Sequence, residues 1–295
     1  MTVTLTAGVL AVVAVAGTAI AGDAVQITPA YRVGDRLHYS WHLENELSWS
    51  PEVKGADWVK MSTDFDFALI ARHLLGDGSC LFDLDGETLK SVAEGAKGKL
   101  GIRATPKEAS LLFGNKWTKP GPNSPLAKPM TVTMGKQFQP TASTGLESIA
   151  LFLLPGVDAR VWFVMTTAPP LPLKVGSTWS QNFDVPIPGA EGEPLDVAVT
   201  VKVVRIEKID RAEVLTIETT GELNLTDTDL QLKTGEWMHI LHGRYEVRGV
   251  ANWDMKRGFL RFAEAEQSLR ATADKPDTRR LASKAVSRLK LEKVN

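Results

Sequence analysis

After its N-terminal stretch the chain is dominated by a two-residue alternation of apolar and polar side chains. Leu37, Tyr39 and Trp41 alternate with Arg36, His38 and Ser40, and Phe65, Phe67 and Leu69 alternate with Asp64, Asp66 and Ala68. Successive side chains of a strand point to opposite faces, so these segments predict strands with one apolar face and one partly wet face. The longest stretch runs through Leu195, Val197, Val199, Val201 and Val203 before the phase changes to Val204 and Ile206. One extra residue restores the packing phase, which predicts a β-bulge or bend at 203–204. The expected return partner carries Leu215, Ile217, Leu223 and Leu225, reached through a turn at Lys208-Ile209-Asp210-Arg211.

Two segments read as tight hairpins. Asp85-Gly86 lies between the extended arms Phe82-Asp83-Leu84 and Glu87-Thr88-Leu89, and Met255-Lys256-Arg257-Gly258 lies between Trp253-Asp254 and Phe259-Leu260. In each the glycine offers a positive φ at low steric cost. Asp83-x-Asp85-Gly86 also opens like a calcium loop, but Leu89, Val92 and Ala93 interrupt the later ligand positions, so a plain turn is the reading.

A short internal match suggests duplication. Val33-Gly34-Asp35-Arg36-Leu37 and Val175-Gly176-Ser177-Thr178-Trp179, 142 residues apart, share a Val-Gly start after a basic residue and a large apolar residue three places past the glycine. Gly114 to Pro129 holds four prolines and two glycines and reads as a loop. Leu146, Ile149, Ala150, Leu153 and Leu154 suggest a short amphipathic helix over 145–154, and Ala168-Pro169-Pro170-Leu171-Pro172 breaks any continuing sheet. The expected fold is therefore mainly β: two related antiparallel curved sheets or half-barrels, with one short helix in the first half. The first β-rich module, 22–167, carries the Pro-rich loop and the helix; a hinge at 168–172 leads to a second module, 173–295.

The apolar, small-residue run Ala7 to Ala21 is about fifteen residues long, too short to cross a bilayer comfortably but suited to a signal peptide. Ala19-Ile20-Ala21 supplies the small-x-small cleavage pattern, although residues 1–6 contain no Lys or Arg. The expected location is periplasmic or extracellular. The single cysteine, Cys80, lies far from this run, so it neither serves as a lipid-anchored cysteine nor forms an internal disulfide. Its neighbours Leu81 and Phe82 point to a buried thiol.

Charge narrows the partners. With 34 basic and 35 acidic residues the net charge is -1, which gives no global reason to bind nucleic acid. Residues 275–295 hold seven Lys or Arg against two acidic residues. That segment reads either as a basic amphipathic helix along Leu281, Ala285 and Leu289, able to make a weak contact with an anionic surface, or as a terminal strand over Leu289-Lys290-Leu291-Glu292-Lys293 after a basic linker. The eight tryptophans, scattered from Trp41 to Trp253, read as packing residues.

Enzyme signatures are absent. His38 and His42 share a strand face but sit about 13 Å apart, too far to hold one metal. His239 and His242 alternate faces. There is no Gly-x-Ser-x-Gly, His-Glu-x-x-His, Walker loop or dinucleotide fingerprint. No residue is assigned as catalytic, cofactor-binding or metal-binding, and no cofactor is expected. The leading reading is a non-enzymatic exported protein that binds a hydrophobic small molecule or an envelope protein. The alternative is a secreted hydrolase acting on glycans through paired carboxylates.

The Val-Gly-x-x-Trp motif at Val175 to Trp179, the long strand pairs and the Trp253-Asp254 to Gly258 hairpin resemble those of bacterial exported β-rich proteins of uncharacterised function. These are similar in outline to the curved-sheet periplasmic lipoprotein carriers. The resemblance spans residues 27–295 and implies an apolar concavity in an open half-barrel.

Overall fold

The computed structural model describes residues 31–50, 58–95, 98–135, 140–146, 149, 173–185, 190–191, 195–209, 211–232, 237–274 and 279–294. The expected signal segment, the expected hinge at 168–172 and most of the expected helix lie outside these residues. Of that helix Leu146 and Ile149 are described, and both pack on the core.

The first half holds β1 (Arg36–Ser50), β2 (Trp58–Leu74), β3 (Cys80–Gly95), β4 (Gly98–Ala104), β5 (Ala109–Phe113), β6 (Lys116–Trp117), β7 (Met130–Met134) and β8 (Pro140–Thr144). The second holds β9 (Thr178–Val185), β10 (Ala190–Glu191), β11 (Leu195–Ile209), β12 (Ala212–Leu232), β13 (Trp237–Asp254), β14 (Phe259–Asp274) and β15 (Arg279–Val294). All fifteen belong to one sheet, ordered β6-β5-β4-β3-β2-β1-β15-β14-β13-β12-β11-β9, with β7 and β8 branching from β3 and β10 from β12.

Two separate sheets were expected, and one is observed. The reason is β15, which pairs with β14 on one side and returns antiparallel along β1 on the other, from Leu37↔Val294 to Ser50↔Arg280. The two halves thus share a seam and one core cluster, which includes Phe65, Phe82, Val199, Ile217 and Trp253. Among the described residues β6 and β9 do not pair, so the sheet is open.

The alternation is realised as read. Leu37, Tyr39, Trp41 and Leu43 are buried in β1, Phe65, Phe67 and Leu69 in β2, and Val197, Val199, Val201 and Val203 in β11. The register of β11 on β12 shifts between Val203 and Arg205, at the expected bulge, and Ile209 closes the hairpin opposite Ala212. The Trp253–Phe259 turn also forms: Asp254 Oδ1 accepts from the backbone N–H groups of Lys256 and Arg257, and Gly258 has φ +71°.

The Asp85-Gly86 hairpin does not form. β3 runs unbroken through both residues, and Gly86 pairs with Phe67 where the β2–β3 register shifts. A Cβ there would lie 2.9 Å from Leu126 and 3.3 Å from the Phe65 ring, so glycine serves close packing beneath the 3-10 turn Pro125–Ala127 and not a chain reversal. The irregular 114–129 segment holds that turn and the two-residue strand β6.

The two Val-Gly segments make matching lead-in turns. Gly34 (φ +93°) and Gly176 (φ +90°) donate to Ala71 O and Val203 O, while Ala71 and Val203 donate back to Asp35 O and Ser177 O. Asp35 Oδ2 accepts from Arg32 N just as Ser177 Oγ accepts from Lys174 N. Both receiving positions, Ala71 and Val203, stand beside a register shift.

Among its described residues, the basic C-terminal segment is strand from Arg279 to Val294, which includes most of the stretch expected as a linker. Two of its cations face carboxylates of the neighbouring strand, Arg288 to Glu264 at 2.8 Å and Lys284 to Glu266 at 2.9 Å.

Candidate ligand-binding face

Strand pleating gives the sheet a polar outer face and an apolar inner face. On the outer face a trough is lined by Glu46, Glu246, Arg248, Glu266, Arg270 and Lys284, among others. Each of its carboxylates has a cationic partner: Glu46 with Lys60 at 2.5 Å, Glu266 with Lys284 and Glu246 with Arg244 at 2.8 Å. A glycosidase-type pair needs one carboxyl held in an apolar pocket so that it stays protonated. The trough surrounds its acids with cations instead.

Three of the histidines, His38, His42 and His239, lie beside different carboxylates. His42 Nδ1 lies 2.6 Å from Asp64, His38 Nδ1 lies 2.9 Å from Glu87, and His239 Nδ1 lies 2.7 Å from Asp229. The Asp229 contact raises the His239 pKa. Asp83 and Asp85 of the calcium-like motif bind Arg72 and Arg36. Among the described residues no three His, Cys, Asp or Glu side chains converge to hold a metal.

The inner face is organised in cross-strand rows. One row starts at the edge with Lys116 opposite Phe113, then passes through Leu100, Ala93, Met61 and Asn45. Beyond Asn45 it continues through Ala285, Gln267 and Val247. Burial changes along it: Asn45 and Gln267 are each 7% exposed, whereas Leu100 is 59% and Phe113 57% exposed. The inner face is therefore deep in the middle and open at the β4–β5 side.

One end of this face is closed by aromatic rings. Tyr31 meets Phe82 edge-on at 4.9 Å and stacks on Phe259 at 5.5 Å, bridging β3 and β14. Tyr39 OH donates to Leu260 O at 3.1 Å, and burial pushes both tyrosine pKa values up. Cys80 belongs to this packed region, with its thiol raised to about 11 by burial.

Some polar groups within the apolar face are paired and others are not. Thr63 and Ser91 hydroxyls bond each other at 2.9 Å, and Trp41 Nε1 donates to Ser287 Oγ at 2.7 Å. Asn45 Oδ1, Gln267 Nε2 and Tyr245 OH, by contrast, are buried without a hydrogen-bond partner. Such an atom costs about 1–3 kcal/mol when left unpaired. The three lie on β1, β14 and β13, within four consecutive strands of the sheet, and Tyr245 sits opposite Leu269, two residues from Gln267. Together they offer an acceptor, a donor and a hydroxyl within an otherwise apolar surface. Sequence reading did not single them out, although Asn45 is in phase with Leu37 to Leu43 and Gln267 with Ala265 and Leu269.

No family model and no curated protein matches the chain. A solved structure described as "Lipid-protein interactions in lipovitellin" is similar over 90% of this chain and 26% of that one, at 9% identity and a TM-score of 0.47. The chain thus spans about a quarter of that protein's length, and a likeness of this size leaves function to be argued from the residues of this chain.

Proposed function

We propose that the protein is an exported, non-enzymatic binder of a hydrophobic small molecule that carries an uncharged polar group, held on the inner face of the sheet. The observation that supports this is the trio Asn45, Gln267 and Tyr245: unpaired hydrogen-bonding atoms, each residue at least nine-tenths buried, in the middle of an apolar surface that opens to solvent at one side. Ligand sites of this kind are mostly apolar with a few placed polar groups that orient the guest. An acceptor and a donor separated by one strand suit an amide, ester or hydroxyl on an acyl chain. A carboxylate anion fits less well, because the row between Met61 and Val247 carries no cation.

Export rests on the Ala7 to Ala21 run, and the paired lead-in turns at Gly34 and Gly176 support two related halves fused into one sheet. The deciding experiment is native mass spectrometry of protein purified from its own envelope. A co-purified neutral lipid or acyl amide, released on denaturation, is the expected result. A ligand-free mass together with no binding of a fluorescent acyl-chain probe defeats the proposal, and a protein adduct points to an envelope partner instead.

A further inference from the structure

We infer that the β4–β6 corner is a docking surface for an anionic lipid membrane. Three large apolar side chains are exposed there, Leu100 at 59%, Leu111 at 43% and Phe113 at 57%. Leu100 stands directly opposite Phe113, and Leu111 is two residues from it, so all three share one face of the hairpin. Water contact at three adjacent large apolar groups is unfavourable, and such a patch on a folded surface marks a place where something else covers it.

Charge identifies the cover. Residues 98–128 contain six Lys or Arg against the single acidic residue Glu108, and with Lys99 neutralised by Glu94 at 2.9 Å on the adjacent strand the segment still carries a net charge of +4 in a chain whose total is -1. Lys116 is the direct cross-strand neighbour of Phe113 and stands on the same face at the sheet edge. The tight turn between them, with Gly114 at φ +60°, projects both together. On the reverse face Arg103 lies 4.1 Å over the Trp117 ring, adding an indole and a cation at the same corner. Apolar side chains rimmed by basic ones match a surface of negative headgroups above hydrocarbon, whereas an acidic protein or nucleic acid satisfies the charge but leaves Phe113 and Leu100 uncovered.

The docking surface stands on these observations alone. Its use for loading ligand rests on the reading above: the Phe113–Leu100 pair is the outer end of the row that reaches Asn45 and Gln267, so a chain leaving the bilayer at Phe113 meets apolar wall along that row.

The test uses the full chain with vesicles of phosphatidylcholine alone and of phosphatidylcholine mixed with phosphatidylglycerol, read by co-sedimentation. Binding is expected on the mixed vesicles only and weakens as salt rises. Lys116→Glu and Phe113→Ser should each lower partitioning about ten-fold, while Lys290→Gln on the outer face leaves it unchanged. Equal binding by wild type and both corner variants, or no preference for the anionic vesicles, overturns the inference, as does loss by Lys116→Glu with full retention by Phe113→Ser, which marks a purely electrostatic partner. Circular dichroism of each variant separates misfolding from lost docking. Binding of a fluorescent acyl-chain probe in vesicle-free solution is measured alongside. Probe binding without vesicle binding defeats the docking surface and spares the ligand reading, and vesicle binding without probe binding does the reverse.

Discussion

Asn45 and Gln267 occupy one row of the inner face, two strands apart with Ala285 between them, and present an unpaired oxygen and an unpaired nitrogen. Two carboxamides in that position cost stability that apolar residues would not. Replacing both by leucine, Asn45→Leu with Gln267→Leu, removes two uncompensated polar burials and should stabilise the protein by about 2 kcal/mol. Thermal unfolding checks this, with Tm expected to rise by several degrees. The same variant should bind a neutral acyl amide more weakly than wild type, because the groups that orient it are gone.

Gly86 separates the part of β3 that pairs with β4 from the part that pairs with β7. Gly86→Val drives branched methyls into Leu126, Phe65 and Met130 and should destabilise the fold by about 2–3 kcal/mol. Urea titration measures the loss. A cost below about 0.5 kcal/mol would show that the site relaxes freely and that the close approach is not a packing constraint.

The lead-in turns provide a symmetric test. Gly34 and Gly176 both have φ near +90° with open space where a Cβ would lie, so alanine meets backbone strain and no clash. Gly34→Ala and Gly176→Ala should each cost about 1–2 kcal/mol, and by similar amounts, since the hydrogen bonds around them match. Strongly unequal values would argue against equivalent turns.

Cys80 gives a pH-dependent prediction. Burial raises its thiol pKa to about 11, so the folded state holds the proton more tightly than the unfolded chain. The resulting stabilisation is complete below the unfolded thiol pKa of about 8.5 and disappears as pH rises through about 11. At pH about 8 the native thiol should resist iodoacetamide and react only after denaturation. Rapid native labelling at that pH would contradict its burial.

Local pattern was enough to place β1, β2, β11 and β12, the 203–204 bulge, the 255–258 turn and the buried thiol, because these depend on neighbours within a few residues. Local chemistry misled at Asp85-Gly86: the dipeptide favours a turn in isolation, but Gly86 pairs with Phe67 inside a continuous β3, where Leu126 and Phe65 leave little room for a Cβ. The reading of two sheets failed for a related reason. Alternation assigns each strand a face but carries no record of its partner, and only the return of β15 along β1 shows that the halves are joined.

The same division governs the candidate site. The sequence by itself determined that an apolar face exists and that Asn45 and Gln267 interrupt it in phase, since side-chain direction follows from chain position. Tertiary structure decided which interruptions matter: Thr63 found Ser91 and Ser287 found Trp41, whereas Asn45 and Gln267 are separated by Ala285, and Asn45 Oδ1 and Gln267 Nε2 find no partner. Pairing across strands depends on register between segments as far apart as 222 residues in the case of Asn45 and Gln267, and register is a property of the assembled sheet.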